Sequence, residues 1–232
     1  MAAIFRITLI LLLVLAVGIG GAGLYWFRHR EPDPYFRGTS EVLIVVDPGH
    51  VASETGVVGS TGVQEKELTL ILSMKLVGLL QQDGFSTMLT RVNNRELSAP
   101  PAGEEYADFD QGLSRRVALA NNNDADLFIS IHVNSFPDPK IGGAQVFYHP
   151  SSPQGQKLAG RIQREMDRTL ANPGRKIMPE NFFVLRMTTM PSVLVEVGFL
   201  TNPVEEKLLL DEKYQDKVAV AIYNGIIDYL AQ

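Results

Sequence analysis

Three apolar runs in the chain each lead into a side chain that can bind a metal ion or move a proton. Val42–Val46 (VLIVV) runs into Asp47-Pro48-Gly49-His50, Asp126–Ile131 (DLFISI) into His132, and Ser192–Val195 (SVLV) into Glu196. If these runs are strands of one open parallel sheet, their carboxyl ends share the edge at which such sheets bind ligands. The spacing therefore predicts that His50, His132 and Glu196 converge. A fourth acid, Glu65, opens the helical pattern that follows the glycine-rich loop Gly56–Gly62, and that loop can fold back to set Glu65 beside His50.

Taken singly, these residues have ordinary explanations. A histidine after a strand is commonly structural, and an acid in the first turn of a helix favours the dipole by about 0.3–1 kcal/mol. Glu196 is different, because a carboxylate inside the apolar run Val193–Val197 is costly to bury unless it is paired or metal-bound. The chain has no cysteine, which excludes disulfides, thiolate zinc sites, iron–sulfur clusters and a thiol nucleophile. Any metal must then sit on His, Asp and Glu. Beyond residue 40 the histidines are His50, His132 and His149, and two of these end apolar runs. Two histidines and one carboxylate make a catalytic zinc shell with an open fourth position.

Stepping outward, these groups need a scaffold. The 232 residues suit one ordinary domain plus a short extra segment. A 45% hydrophobic composition is that of a globular protein, and the net charge of −5 argues against a nucleic-acid partner. Charge is unevenly spread. Residues 1–37 carry four arginines against Glu31 and Asp33, whereas the remainder carries 17 basic and 24 acidic residues.

After a short segment, residues 1–6, the stretch Ile7–Phe27 holds 21 residues without a formal charge. At 1.5 Å per residue it spans roughly 31 Å, the thickness of a bilayer core. Tyr25 and Trp26 would sit at the interface. The reading is a single transmembrane anchor over 7–27 with the following domain extracytoplasmic; secretion after signal cleavage near Gly18–Gly23 is the alternative. Residues 28–40 read as a linker and 41–232 as the catalytic domain.

That domain alternates short apolar runs with helical patterns, which predicts a single α/β domain with a mainly parallel, mixed central sheet flanked by helices on both faces. Strands are expected at 42–46, 85–90, 127–131, 144–148 and 193–195. Helices are expected at 65–82, 115–122, 153–170, 203–210 and 211–230. Residues 92–112 and 172–183 read as connections, the first long enough to border a site. Asn134 reads as either a ligand-orienting or a turn residue. Arg116 reads as the partner of an acid near the cleft or, preferred, as half of a surface ion pair; His149 reads as solvent-facing, and Phe182-Phe183 as core.

The chain resembles the zinc-dependent N-acetylmuramoyl-L-alanine amidases of bacterial cell walls. The resemblance runs from about Val42 to Leu230. It is carried by DPGH (Asp47–His50), Glu65-Lys66-Glu67, LTR (Leu89–Arg91), Arg116 with Ala120-Asn121, ADLFISIHVNS (Ala125–Ser135) and PSVLVEVGFLTNP (Pro191–Pro203). It implies that His50, Glu65 and His132 bind one Zn2+ ion and that Glu196 is the catalytic acid/base; preferring Glu65 to Glu67 or Glu54 rests on the resemblance alone. The implied substrate is peptidoglycan, cut at the amide between N-acetylmuramic acid and L-alanine. A tethered wall-binding protein without catalysis, or a zinc peptidase cutting another wall bond, is the alternative. The chain departs from the family where DPGH continues as Val51-Ala52-Ser53-Glu54 instead of Gly-Gly. Only Ala171–Asn181 precedes the NFFVLR segment, too short for the inhibitory helix of some members. Control is therefore expected from anchoring, expression or an activating protein partner. One membrane segment without a wall-binding domain most resembles the germination-specific spore-cortex members, in which peptide removal prepares muramic acid for lactam formation.

Overall fold

The β-branched run that leads to His50 becomes the second strand of a seven-stranded sheet. The computed structural model describes residues 32–50, 55–92, 95–96, 109–170 and 174–232. The expected anchor at 7–27, and the divergent residues 51–54, lie outside them. Among the described residues no helix is long and apolar enough to cross a membrane.

In chain order the elements are β1 (Tyr35–Phe36), β2 (Leu43–Pro48), α1 (Glu65–Gln82), β3 (Ser86–Leu89), β4 (Arg91–Val92), β5 (Arg95–Glu96), α2 (Phe109–Asn122), β6 (Leu127–Asn134), β7 (Gln145–Tyr148), α3 (Pro153–Leu170), β8 (Met178–Pro179), α4 (Phe183–Met187), β9 (Ser192–Phe199), α5 (Pro203–Leu209) and α6 (Glu212–Leu230). The sheet order is β1-β3-β2-β6-β9-β7-β8. β3, β2, β6 and β9 run parallel, while β1 and β7 pair antiparallel with β3 and β9. The sheet is thus mixed and mainly parallel, as expected.

Side-chain alternation explains why both faces are covered. Ile44, Val46, Ile129, Ile131, Val193 and Val195 pack on one face with Leu68, Leu72 and Leu76 of α1, Leu158 and Ile162 of α3, and Val218 and Ile222 of α6. Val45, Phe128, Phe147 and Leu194 pack on the other with Val117 and Ala120 of α2 and Val184 and Leu185 of α4. Strands buried on both faces read as unbroken apolar runs.

Helix ends follow local chemistry. Gly84, at φ +82°, terminates α1, and Phe85 N–H closes the end on Leu80 O at 3.1 Å. Ser152 caps α3 through Gly155 N–H, and Asn202 caps α5 by accepting from Val204 and Glu205 N–H.

Three expectations need correction. β6 and β9 extend to Asn134 and Phe199, so His132 and Glu196 lie within strands instead of just beyond them. The first face stays apolar through Val133 and Val197, both 1% exposed, while only the other face turns polar. α2 begins at Phe109, not Arg115; Gly112 and Ser114 are weak helix formers, and packing of Leu113 against the second core carries the helix across them. The connection 172–183 contains β8 and the start of α4.

Candidate metal centre and hydrolytic cleft

The DPGH turn is held from three directions. Asp47 is fully buried. Its Oδ1 accepts from Thr90 Oγ1 at 2.6 Å and pairs with Arg116 at 3.4 Å, and its Oδ2 accepts from Ser130 Oγ at 2.7 Å. Burial opposes the ionised form, but Arg116 and the two hydroxyls outweigh it and hold the carboxyl below its ordinary value. Arg116 is therefore a buried partner of an acid beside the cleft, one of its two expected roles, and not the surface pair that was preferred. Helix α2 packs on the face that Asp47 shares, and that covers the guanidinium.

Arg91, also fully buried, donates to Pro48 O at 3.1 Å, Gly49 O at 3.0 Å and Lys66 O at 2.7 Å. Thr69 Oγ1 gives Gly49 O a second donor at 2.8 Å. These bonds let His50 occupy φ +64°, a left-handed conformation that costs a non-glycine residue about 1–2 kcal/mol. Gly49 itself has no alternative. A Cβ there would lie 2.4–2.6 Å from the His132 ring.

Glu65 is 2% exposed and uses both oxygens twice. Oε1 accepts from Val133 N–H at 3.0 Å and lies 3.1 Å from His132 Nδ1. Oε2 accepts from Val57 N–H at 2.9 Å and lies 3.1 Å from His50 Nε2. Burial pushes this carboxyl up, but the hydrogen bonds and charge of His132 and His50 hold it far below its usual range. Gly56, at φ +66°, leaves the space that a Cβ would take from Glu65 Oε2.

The ring centroids of His50 and His132 are 5.0 Å apart. One donor atom from each of His50, Glu65 and His132 lies within 4.8 Å of the others. Two imidazoles and one carboxylate at this separation fit a tetrahedral cation such as zinc. Glu67 is elsewhere, accepting from Gln64 N–H at 3.3 Å as a helix cap. His149 is half-buried against Ser151 Oγ and is not among the three residues of the cluster.

Glu196 pairs in register with His132 across adjacent strands. Its Oε2 is enclosed and has no hydrogen-bond partner among the described residues. Burial, then the charge of Glu65, pushes it up to about 8. All four residues line a cleft of about 620 Å³, together with Thr55, Gly56, Val57, Val133, Asn134 and Ser135. Asn134 Oδ1 accepts from Ser135 N–H at 2.7 Å, the turn-stabilising role. Phe183 packs against the second core, whereas Phe182 is 37% exposed and meets Phe147 edge-on.

The sequence reading missed the supports of this centre. Asp47 and Arg91 stood inside recognised motifs, but their partners lie 22–83 residues away. The Val57 and Val133 donors are backbone groups and leave no trace in residue type.

Comparison with known proteins follows the same residues. The profile of the N-acetylmuramoyl-L-alanine amidase family matches residues 44–228. The germination-specific N-acetylmuramoyl-L-alanine amidase of Bacillus subtilis is 38% identical over 211 residues, covering 90% of this chain and 88% of that protein. The CwlD amidase of Clostridioides difficile, solved in complex with the GerS lipoprotein, superposes with a TM-score of 0.77 at 34% identity, over 82% of this chain and 99% of that one. The catalytic domain of CwlV, an N-acetylmuramoyl-L-alanine amidase from Bacillus (Paenibacillus) polymyxa, superposes with a TM-score of 0.72 at 33% identity, over 82% and 98%.

Proposed function

The chain belongs to the N-acetylmuramoyl-L-alanine amidase family, hydrolases of the bond between N-acetylmuramic acid and L-alanine, and we propose that it works with one zinc ion on His50, Glu65 and His132 and with Glu196 as its acid–base group. One observation carries this reading. Two imidazoles and a buried carboxylate meet within 4.8 Å, in the same cleft as a glutamate whose enclosed oxygen has no partner among the described residues.

Bound there, zinc supplies Lewis acidity to the scissile carbonyl and to water. The protein does the rest. Val57 and Val133 N–H groups fix both oxygens of Glu65, so the ligand is oriented before the cation arrives. As a carboxylate, Glu196 takes a proton from the attacking water. As an acid, it returns that proton to the departing alanine nitrogen, leaving a lactyl carboxylate and a free amine. A group pushed up to about 8 is suited to holding and releasing a proton near neutrality.

The narrower role is spore-cortex maturation, where peptide removal prepares muramic acid for lactam formation. Similarity to the germination-specific relative supports it. The neighbour solved with a lipoprotein supports a protein partner, to which we assign activation. We assign Ile7–Phe27 as a single-pass anchor holding the domain outside the cytoplasm, with secretion after cleavage as the alternative.

The purified protein should hold one zinc per chain. Glu196→Gln should keep that zinc while losing turnover by about 10²–10⁴-fold; cleavage at the wild-type rate would overturn its role. Spores made with Glu196→Gln as the sole copy should lack muramic lactam, and normal lactam content would overturn the cortex assignment.

A further inference from the structure

The loop that covers Glu65 is fastened at its far end to a carboxylate outside the centre. Glu206, on α5, is only 2% exposed. Its Oε1 accepts from Thr61 N–H at 2.9 Å and Thr61 Oγ1 at 2.7 Å, and its Oε2 accepts from Ser60 Oγ. An acid in the first turn of a helix is ordinarily there for the dipole, with its carboxylate in water. Here the carboxylate is buried and its bonds go to residues some 145 positions earlier in the chain. Gly59 fits this contact closely, since a Cβ would lie 2.3 Å from Glu206 Oε1.

Between tip and base the loop is cross-braced. Gly59 N–H donates to Val63 O at 2.8 Å, Gly62 N–H to Gly59 O at 3.1 Å, and Val58 bridges Gln64. At the base, Val57 N–H donates to Glu65 Oε2 and Val57 O accepts from Glu65 N–H at 2.8 Å. The anchor of this brace is equally fixed. Glu205, beside Glu206, accepts from Phe199 N–H at 2.7 Å, which ties α5 to the strand bearing Glu196. Hydrogen bonds joined by short stretches of chain therefore link β9 through α5 and the loop to Glu65.

We propose that Glu206 is a positioning residue for the metal centre: by fixing the tip of the Thr55–Gln64 loop it holds Val57 N–H on Glu65 and raises the affinity of His50, Glu65 and His132 for zinc. This rests on the zinc reading given above. Charge-assisted bonds from two loop-tip residues are strong enough for such a role. Groups that orient metal ligands typically change affinity by about 10–100-fold.

The test is zinc affinity of the full chain, measured by competition with a chromophoric chelator. Glu206→Gln should weaken binding by about tenfold. Ser60→Ala with Thr61→Val, at an exposed loop tip, removes both hydroxyl donors of the contact from the other side, leaving only Thr61 N–H on Glu206, and decides the matter if Glu206→Gln does not fold. Combining all three changes should add little to Glu206→Gln, because they break one interaction. Amide hydrogen exchange should quicken in Val57–Val63 and stay unchanged in the core strands. Zinc affinity within about twofold of wild type in the loop-tip variant, while His132→Ala loses zinc, would overturn the proposal. Wild-type protein that binds no zinc, or His132→Ala that binds it normally, would instead bring down the metal reading and this proposal with it.

Discussion

Glu65 and Glu196 share one cleft and are treated oppositely by it. Glu65 has two backbone donors and two imidazoles, so its charge is held despite burial, whereas Glu196 has an enclosed oxygen with no partner among the described residues and faces the charge of Glu65. The consequence for stability has a definite sign. Glu196 titrates at about 8 in the fold against an ordinary 4.5, so the metal-free fold favours its protonated form. That contribution is complete below the ordinary value and is lost as pH rises through about 8. Metal-free Glu196→Gln should therefore gain melting temperature relative to wild type as pH rises from about 4.5 to about 8, and parallel melting curves across that range would contradict it. Asp47→Asn removes the charge opposite buried Arg116 and should cost about 3 kcal/mol in urea unfolding. Glu196 was legible in the sequence because a carboxylate interrupted an apolar run. The role of Asp47 was not, because it depends on Arg116, 69 residues away on a helix packed over the same face of the sheet.

At the scale of elements, the site exists because β2, β6 and β9 are neighbours and parallel, which brings their carboxyl ends to one edge. That much follows from apolar runs separated by helical patterns. Helices α1 and α3 occur at the expected 65–82 and 153–170, since both have a wide apolar face and clear ends. Strand ends were harder to read, because in β6 and β9 one face stays apolar after the other has turned polar. Helix α4 and strand β8, with five and two residues, are too short to show a period. The turn between β2 and the cleft is the element most sensitive to change. Gly49→Ala should displace the His132 ring and weaken zinc binding by about tenfold or more while the secondary structure seen by circular dichroism persists. Unchanged affinity would mean that the turn yields more readily than its packing implies.

At the scale of the whole molecule, the chain joins a short basic, apolar head to an acidic domain. The acidic domain makes simple charge attraction to an anionic wall a weak means of targeting, which leaves the work to an anchor or a partner. Full-length protein should sediment with membranes and be released by detergent but not by salt. Release of a shortened, soluble chain into the medium would instead indicate signal cleavage. Domain class and the His50, Glu65 and His132 cluster were readable because their residues sit in long ordered motifs; the contact of Glu206 was not, because an acid in a first helical turn has an ordinary explanation. The most direct measurement of the central claim is mass spectrometry of peptidoglycan digested by the zinc-loaded protein. The account predicts stem peptides with a free amino group on L-alanine and glycan strands bearing an unsubstituted lactyl carboxylate, both absent with Glu196→Gln. New amines at any other residue, or the same products from Glu196→Gln at the wild-type rate, would contradict it.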